Sequence, residues 1–204
     1  MKLYTILLAL CLQFGYAQTT DSIAKPVDKF AFNTFLKVYY TFPGASGDNV
    51  LSKGNEGKYG FGFEMNLISY RKFYLAGSYE FSGYDVTNAA LAGNIEHTNV
   101  NNYYARLLYQ IPIDNRRFAV SPLITGGAVM IHQKTAGKSY GKQRGAAFSV
   151  GTDIDFKLTE ALGLFGRARY GFLYPDVTAN AKDEKFFSNL NQLNFSLGLK
   201  VGID

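Results

Sequence analysis

The 204-residue chain carries 21 Lys and Arg against 16 Asp and Glu, a net charge of +5, and 16 % of it is aromatic. The basic excess is spread along the chain rather than gathered on one element, which argues against a nucleic-acid-binding stripe. Its one cysteine falls at position 11. Beyond that point the sequence has no disulfide framework, no thiolate metal site and no cysteine nucleophile.

Lys2, the apolar run Leu3 to Leu12 and the small-residue end Gly15-Tyr16-Ala17 follow the order of a secretory signal peptide. The apolar run is about half the roughly 20 residues a membrane helix needs. Leu10 is larger than the residue that lipoprotein cleavage prefers ahead of an anchored Cys11, so the expected cut lies before Gln18. Residues 1–17 are read as the signal peptide and 18–29 as a short polar periplasmic leader. Residues 30–204 are read as a single domain.

From Phe30 onward the apolar signal has period two, the mark of half-buried strands. The first run sets Phe30, Phe32, Leu36, Val38, Tyr40 and Phe42 on one face; the second Tyr59, Phe61, Phe63, Met65 and Leu67. The third gives Phe73, Leu75, Tyr79 and Phe81, and the fourth Tyr103, Ala105, Leu107, Tyr109 and Ile111. The fifth gives Phe118, Val120, Ile124, Ala128 and Met130, and the sixth Phe148, Val150, Ile154, Phe156 and Leu158. The seventh gives Leu164, Ala168, Tyr170, Phe172 and Tyr174. The eighth gives Leu193, Phe195, Leu197, Leu199, Val201 and Ile203. Charged residues and most strand glycines fall on the opposite face. Pro122 interrupts the fifth run, where a central strand would lose a ladder hydrogen bond, and predicts a bulge there.

The connections alternate in length. Ser69 to Lys72, Pro112 to Arg117 and Thr159 to Gly163 are tight; Pro43 to Lys58, Gly83 to Asn102, His132 to Arg144 and Pro175 to Asn189 are long and polar. Short inner turns and long outer loops characterise bacterial outer-membrane barrels. The fold class expected is all-β, an eight-stranded antiparallel up-and-down transmembrane β-barrel. A soluble lipocalin-like barrel would alternate too, with its apolar face inward. Eight strands enclose an interior that side chains just fill. So many Phe, Tyr and Leu would overfill it, whereas glycine and medium polar residues fit.

The signal peptide, the eight glycine- and aromatic-rich runs and the long outer loops together resemble the outer-membrane β-barrel domain family. That family includes the OmpX/Ail proteins, the transmembrane part of OmpA and the small "porin family" barrels of Bacteroidota. The resemblance covers about Phe30 to Ile203 and is architectural, with no diagnostic short motif. It implies a monomer held in outer-membrane lipid and lipopolysaccharide, with roles in adhesion or envelope integrity. The ending Val201-Gly202-Ile203-Asp204 departs from the terminal aromatic of that family, and a peptidoglycan-binding domain after the barrel is not expected.

Charges inside so narrow an interior must pair. Lys37, Glu64, Glu80, Arg106, Asp153, Asp155, Lys157, Arg167, Arg169 and Lys200 are therefore expected to form a lumen network that plugs the barrel. A small porin passing small solutes is the alternative. Lys134, Lys138, Lys142 and Arg144 give the third outer loop four bases and no acid. They are candidate contacts for lipopolysaccharide phosphates or another anion. A lipid A-modifying enzyme is the second alternative, with His132 near the outer interface. No Ser or carboxylate can be placed beside it from sequence, so no catalytic residue is assigned. Neither a metal nor a cofactor is expected: His97 and His132 are far apart and read as loop residues. Gly60-Phe61-Gly62 lies within a strand and lacks the helix that a phosphate-binding loop requires.

Overall fold

The computed structural model describes residues 34–113, 117–180 and 183–202. The signal peptide, the leader, Phe30 and Phe32 of the first run, and Ile203 lie outside the described residues. The strands are β1 (Phe35–Phe42), β2 (Ala45–Ser46), β3 (Asn55–Tyr70), β4 (Phe73–Val86) and β5 (His97–Tyr109). They continue as β6 (Ile111–Ile113), β7 (Phe118–Thr135), β8 (Lys138–Lys157), β9 (Leu162–Pro175) and β10 (Leu190–Gly202). Three short helices sit among the connections: α1 (Val50–Gly54), α2 (Ala89–Ala92) and α3 (Glu184–Ser188).

Each long strand pairs antiparallel with the next long strand in sequence, and β1 also pairs with β10 from Phe35↔Gly202 to Phe42↔Phe195. The sheet is thereby closed, and no long strand is left as an edge. β2 adds two residues to the outer end of β10, and β6 extends β5 along β7. The result is the expected eight-stranded up-and-down barrel.

The alternation places each predicted apolar face on the outside. Leu197 is 61 % exposed and Phe61 52 %, while Lys37, Glu64 and Arg106 are each 0 % exposed. A soluble protein shows the reverse. A closed sheet with an apolar exterior suits lipid, which leaves every backbone donor and acceptor to be satisfied within the protein. Outward-facing Phe73 and Tyr109, and Phe118 and Phe156, pair as tilted rings at the inner end, each pair 4.8 Å between ring centroids. Tyr40, Phe42, Tyr59 and Phe61 lie toward the outer end of β1 and β3. These are the two aromatic girdles such barrels carry.

Pro122 does not produce a bulge. β7 runs in unbroken register against β8 through Ser121↔Asp153, Pro122↔Thr152 and Leu123↔Gly151. On the other side, pairing with β5 stops at Leu108↔Leu123 and resumes with β6 at Ile111↔Val120, in the same register. The missing N–H interrupts one ladder without inserting a residue, so Ile124, Ala128 and Met130 keep the outward facing assigned to them.

The third outer connection is also not a loop. β7 and β8 run on as a hairpin to Thr135↔Lys138, joined by Ala136 and Gly137, with φ of 48° and 75°. Two consecutive positive φ values make the type I′ turn whose twist matches that of the strands. His97 and His132, read as loop residues, stand on β5 and β7.

Candidate functional site

The interior is filled in three layers. At the inner end Phe35, Tyr74, Ala76, Leu108 and Leu123 form a buried apolar cluster. At the outer end Leu51, Tyr84, Val100, Tyr104, Val129, Ile131, Ala147, Leu173 and Leu190 form a second. Leu51 belongs to α1, whose N-cap Asn49 accepts a hydrogen bond from the Ser52 backbone N–H at 3.0 Å. That short helix turns the first outer connection into a stopper over the mouth. Tyr84 supports it, receiving a hydrogen bond from Gln192 Nε2 at 2.9 Å and donating one to the Gly44 carbonyl at 3.3 Å.

Between the apolar layers lie the charges. Arg106 on β5 pairs with Glu64 on β3. Glu64 also pairs with Arg167 on β9, Oε2 to Nη2 at 2.8 Å. Arg167 donates to both oxygens of Asp153 on β8, at 2.6 and 2.7 Å. Asp153 takes Lys37 of β1 at 2.6 Å, and Lys37 lies 3.3 Å from Asp155. Asp155 in turn lies 3.3 Å from Lys200 on β10. One chain of ion pairs thus ties together six of the eight walls. Lys37 and Lys200 face each other across the closing seam, and the two β8 aspartates offset their repulsion.

A second group involves a seventh wall. Glu80 on β4 pairs with Arg169, accepts from Asn194 Nδ2 at 2.9 Å, and lies 3.4 Å from the Tyr39 hydroxyl. Arg169 also donates to the Tyr104 hydroxyl at 2.8 Å. These side chains are 0–4 % exposed. The guanidiniums also lie near aromatic rings, Arg167 5.2 Å from Tyr39 and Arg169 5.0 Å from Tyr104. Such contacts favour arginine over lysine at these positions.

Lys157 does not enter this network. It stands at the inner end of β8 and its Nζ is 2.6 Å from Glu160 in the following turn. The other nine predicted lumen charges are buried in the groups just described. Phe35, Tyr39, Tyr74, Tyr104 and Phe165 are also inside, whereas the expected filling was glycine and medium polar residues. The signal for them was parity: Phe35 and Tyr39 alternate in step with Lys37. Tyr39 fits because its partners on both sides are glycines, Gly62 and Gly198. Its ring occupies the space that a Cβ at Gly62 would need.

The outer wall carries a different set. Met130↔Arg144 and His132↔Lys142 are directly opposed, alternating with inward Val129 and Ile131. His132, Lys142 and Arg144 therefore share the face of the apolar belt. Lys134 continues the same row on β7, while Lys138 adjoins the tip and is exposed. Beside this row a cleft of about 200 Å³ is lined by Tyr59, Asp85, His97, Asn99 and Lys134, among others. Asp85 lies 2.8 Å from His97 Nδ1 and 3.5 Å from Lys58 Nζ. Glu96 reaches the tip and accepts the Ala136 N–H at 2.8 Å. Among the described residues no group of three His, Cys, Asp or Glu side chains is arranged to hold a metal ion.

No protein-family model matches the chain, and no curated protein does. Solved structures do. Neisserial surface protein A matches with a TM-score of 0.65 at 12 % identity, over 84 % of this chain and 97 % of that one. The outer membrane protein OprG from Pseudomonas aeruginosa matches with a TM-score of 0.50 at 11 % identity, over 82 % and 94 %. The chain has the fold of the small outer-membrane β-barrels. In a barrel of this class the rows of Arg144, Lys142 and Lys134 stand just beyond the apolar belt, above the last outward-facing Phe148 and Ala146 of β8.

Proposed function

We propose that this barrel is a non-enzymatic, non-conducting scaffold of the outer membrane, reached through a cleaved signal peptide. Its rigid wall presents the outer connections to the cell surface. The observation that carries the reading is the filled interior, apolar at both ends and tied by buried ion pairs in the middle. A lumen so packed leaves the small-porin alternative without a path for solute. The lipid A-modifying alternative gains a His97–Asp85 pair at the outer wall, but a third group to act as nucleophile is needed beside it. The names of the matched proteins, a surface protein and an outer membrane protein, accord with the scaffold reading. Recognition would then fall to the connections held on the rigid wall.

The orientation is tested with introduced cysteines, one at a time, in intact cells. Lys138→Cys at the tip of the β7–β8 hairpin is expected to react with a membrane-impermeant maleimide. Arg71→Cys, in the tight β3–β4 turn, is expected to react only after the outer membrane is permeabilised. The opposite pattern, or equal labelling of both in intact cells, would remove the scaffold from the surface.

A further inference from the structure

We propose that the barrel interior binds one small monovalent anion, a halide, among Arg106, Arg167, Arg169 and Ser78. The inference rests on the filled-lumen reading and adds a ligand to it. Charge balance is the first observation. Among the described residues the buried layer holds five cations, Lys37, Lys200 and the three arginines, against the four carboxylates of Glu64, Glu80, Asp153 and Asp155. Each is at most 3 % exposed. A charge left over in a low-dielectric interior is costly unless something neutralises it. The two β8 aspartates match the two lysines, and Arg167 only shares Asp153 with Lys37. The surplus therefore falls among the arginines, where three guanidiniums meet two glutamates.

The second observation is hydrogen bonding. Arg106 Nε and Nη2, Arg167 Nη1 and Arg169 Nε are buried and have no acceptor in the protein. Buried polar groups seldom stay unpaired. Glu64 Oε1 and Asn102 Oδ1 are free acceptors in the same layer, and one N–H given to each still leaves two unmet. Asp155 Oδ1 is already 3.3 Å from Lys37. The buried hydroxyls of Ser78 and Ser82 are unpartnered too, but each that accepts a bond brings a donor of its own. The deficit is one of acceptors, and it lies on cationic groups.

The third observation is that the fold brings these groups together. Arg106 and Arg167 meet on one oxygen, Oε2 of Glu64. Arg106 and Arg169 flank one ring, their guanidinium carbons 5.8 and 5.0 Å from the centre of Tyr104. Ser78 on β4 is directly opposed to both Glu64 and Tyr104, and Ala76 is opposed to Arg106. Neither Ala76 nor Ser78 supplies an acid where Arg106 would meet one, and the Ser78 hydroxyl can donate to an anion there. A surplus of one charge suits a monovalent ion, whereas sulfate or phosphate would overshoot it. The apolar clusters separate the site from both mouths. The anion is therefore taken up as the barrel closes and is not a solute in transit.

Crystals of the refolded barrel grown in sodium bromide test this directly. The anomalous map at the bromine edge should show one buried peak in contact with Arg106 and Ser78. In solution, urea unfolding from lipid vesicles is followed as chloride replaces gluconate at constant ionic strength. Above the dissociation constant, each tenfold rise in chloride should lower the unfolding equilibrium constant about tenfold. Arg106→Met removes the surplus charge and two of the donors, and should abolish both the peak and the chloride dependence. Ser78→Ala, a change small enough to leave the fold intact, should move the onset of that dependence to higher chloride. A map without a buried peak would overturn the proposal, as would stability indifferent to chloride in the unaltered protein. A response that sulfate reproduces, or that Ser78→Ala leaves unchanged, would overturn it too. Steady conductance through the barrel would instead defeat the filled-lumen reading, whatever the halide map shows.

Discussion

Glu64 is the residue on which most of the interior turns, since it faces both Arg106 and Arg167 at 0 % exposure. Replacing it by Gln leaves two guanidiniums in a low-dielectric interior with one countercharge fewer. Breaking a buried pair in this way costs about 3–5 kcal/mol. Urea unfolding of the refolded barrel from lipid vesicles should show Glu64→Gln destabilised by that amount. The double variant Glu64→Met/Arg106→Met should lose less than the sum of the single changes, because it removes the charge together with its partner. Additive losses would mean the pair is not coupled. At this scale the sequence revealed which charges face inward, since a charge has no place against lipid. It did not reveal the pairing. Glu64 and Arg167 sit 103 residues apart on strands that are not neighbours, and only the closed cross-section brings them together. The inward aromatics were obscured for the opposite reason. Phe35 or Tyr39 is as acceptable to lipid as to a core, so hydropathy alone does not choose a side; their parity with Lys37 and the glycines facing Tyr39 mark it.

At the scale of elements, the extended β7–β8 hairpin is the feature that sequence periodicity missed. Within the membrane one face of each strand must be apolar, so alternation announces it. Beyond the belt both faces are wet or shielded by neighbouring connections, and Gln133, Lys134, Ser139 and Lys142 read as loop. What fixes the hairpin is the Ala136-Gly137 turn. A β-branched residue at the φ of +75° held by Gly137 is strained by roughly 1–2 kcal/mol. Gly137→Val should therefore open the outer end of the hairpin and speed trypsin cleavage at Lys134, Lys138 and Lys142. The heat-modifiable mobility of the membrane-embedded part should stay unchanged. Equal cleavage rates would show that the tip is held by something other than its turn, such as the Glu96 contact. Pro122 teaches the converse lesson. A proline inside a central strand was expected to force a bulge, yet the barrel accepts the loss of one ladder bond to β5 and keeps register on both sides.

For the molecule as a whole, closure and filling are one problem. Eight strands bring opposite walls close enough for β1, β3, β4, β5, β8, β9 and β10 to join through side chains, and the ion pairs span the interior that closure creates. The apolar clusters at either end shut water out of that middle layer, which strengthens each charge interaction within it. The barrel architecture was legible from the eight alternating runs, the turn lengths and the glycines. The outer stopper was not, because Val50 and Leu51 are one short apolar pair in a polar connection and α1 is too short to show a helical period. The central claim is that this interior is closed, and single-channel conductance in a planar bilayer tests it most directly. Protein whose gel mobility shows a formed barrel should insert and give no steady conductance. Reproducible channels from that same material would contradict the filled lumen and favour a porin.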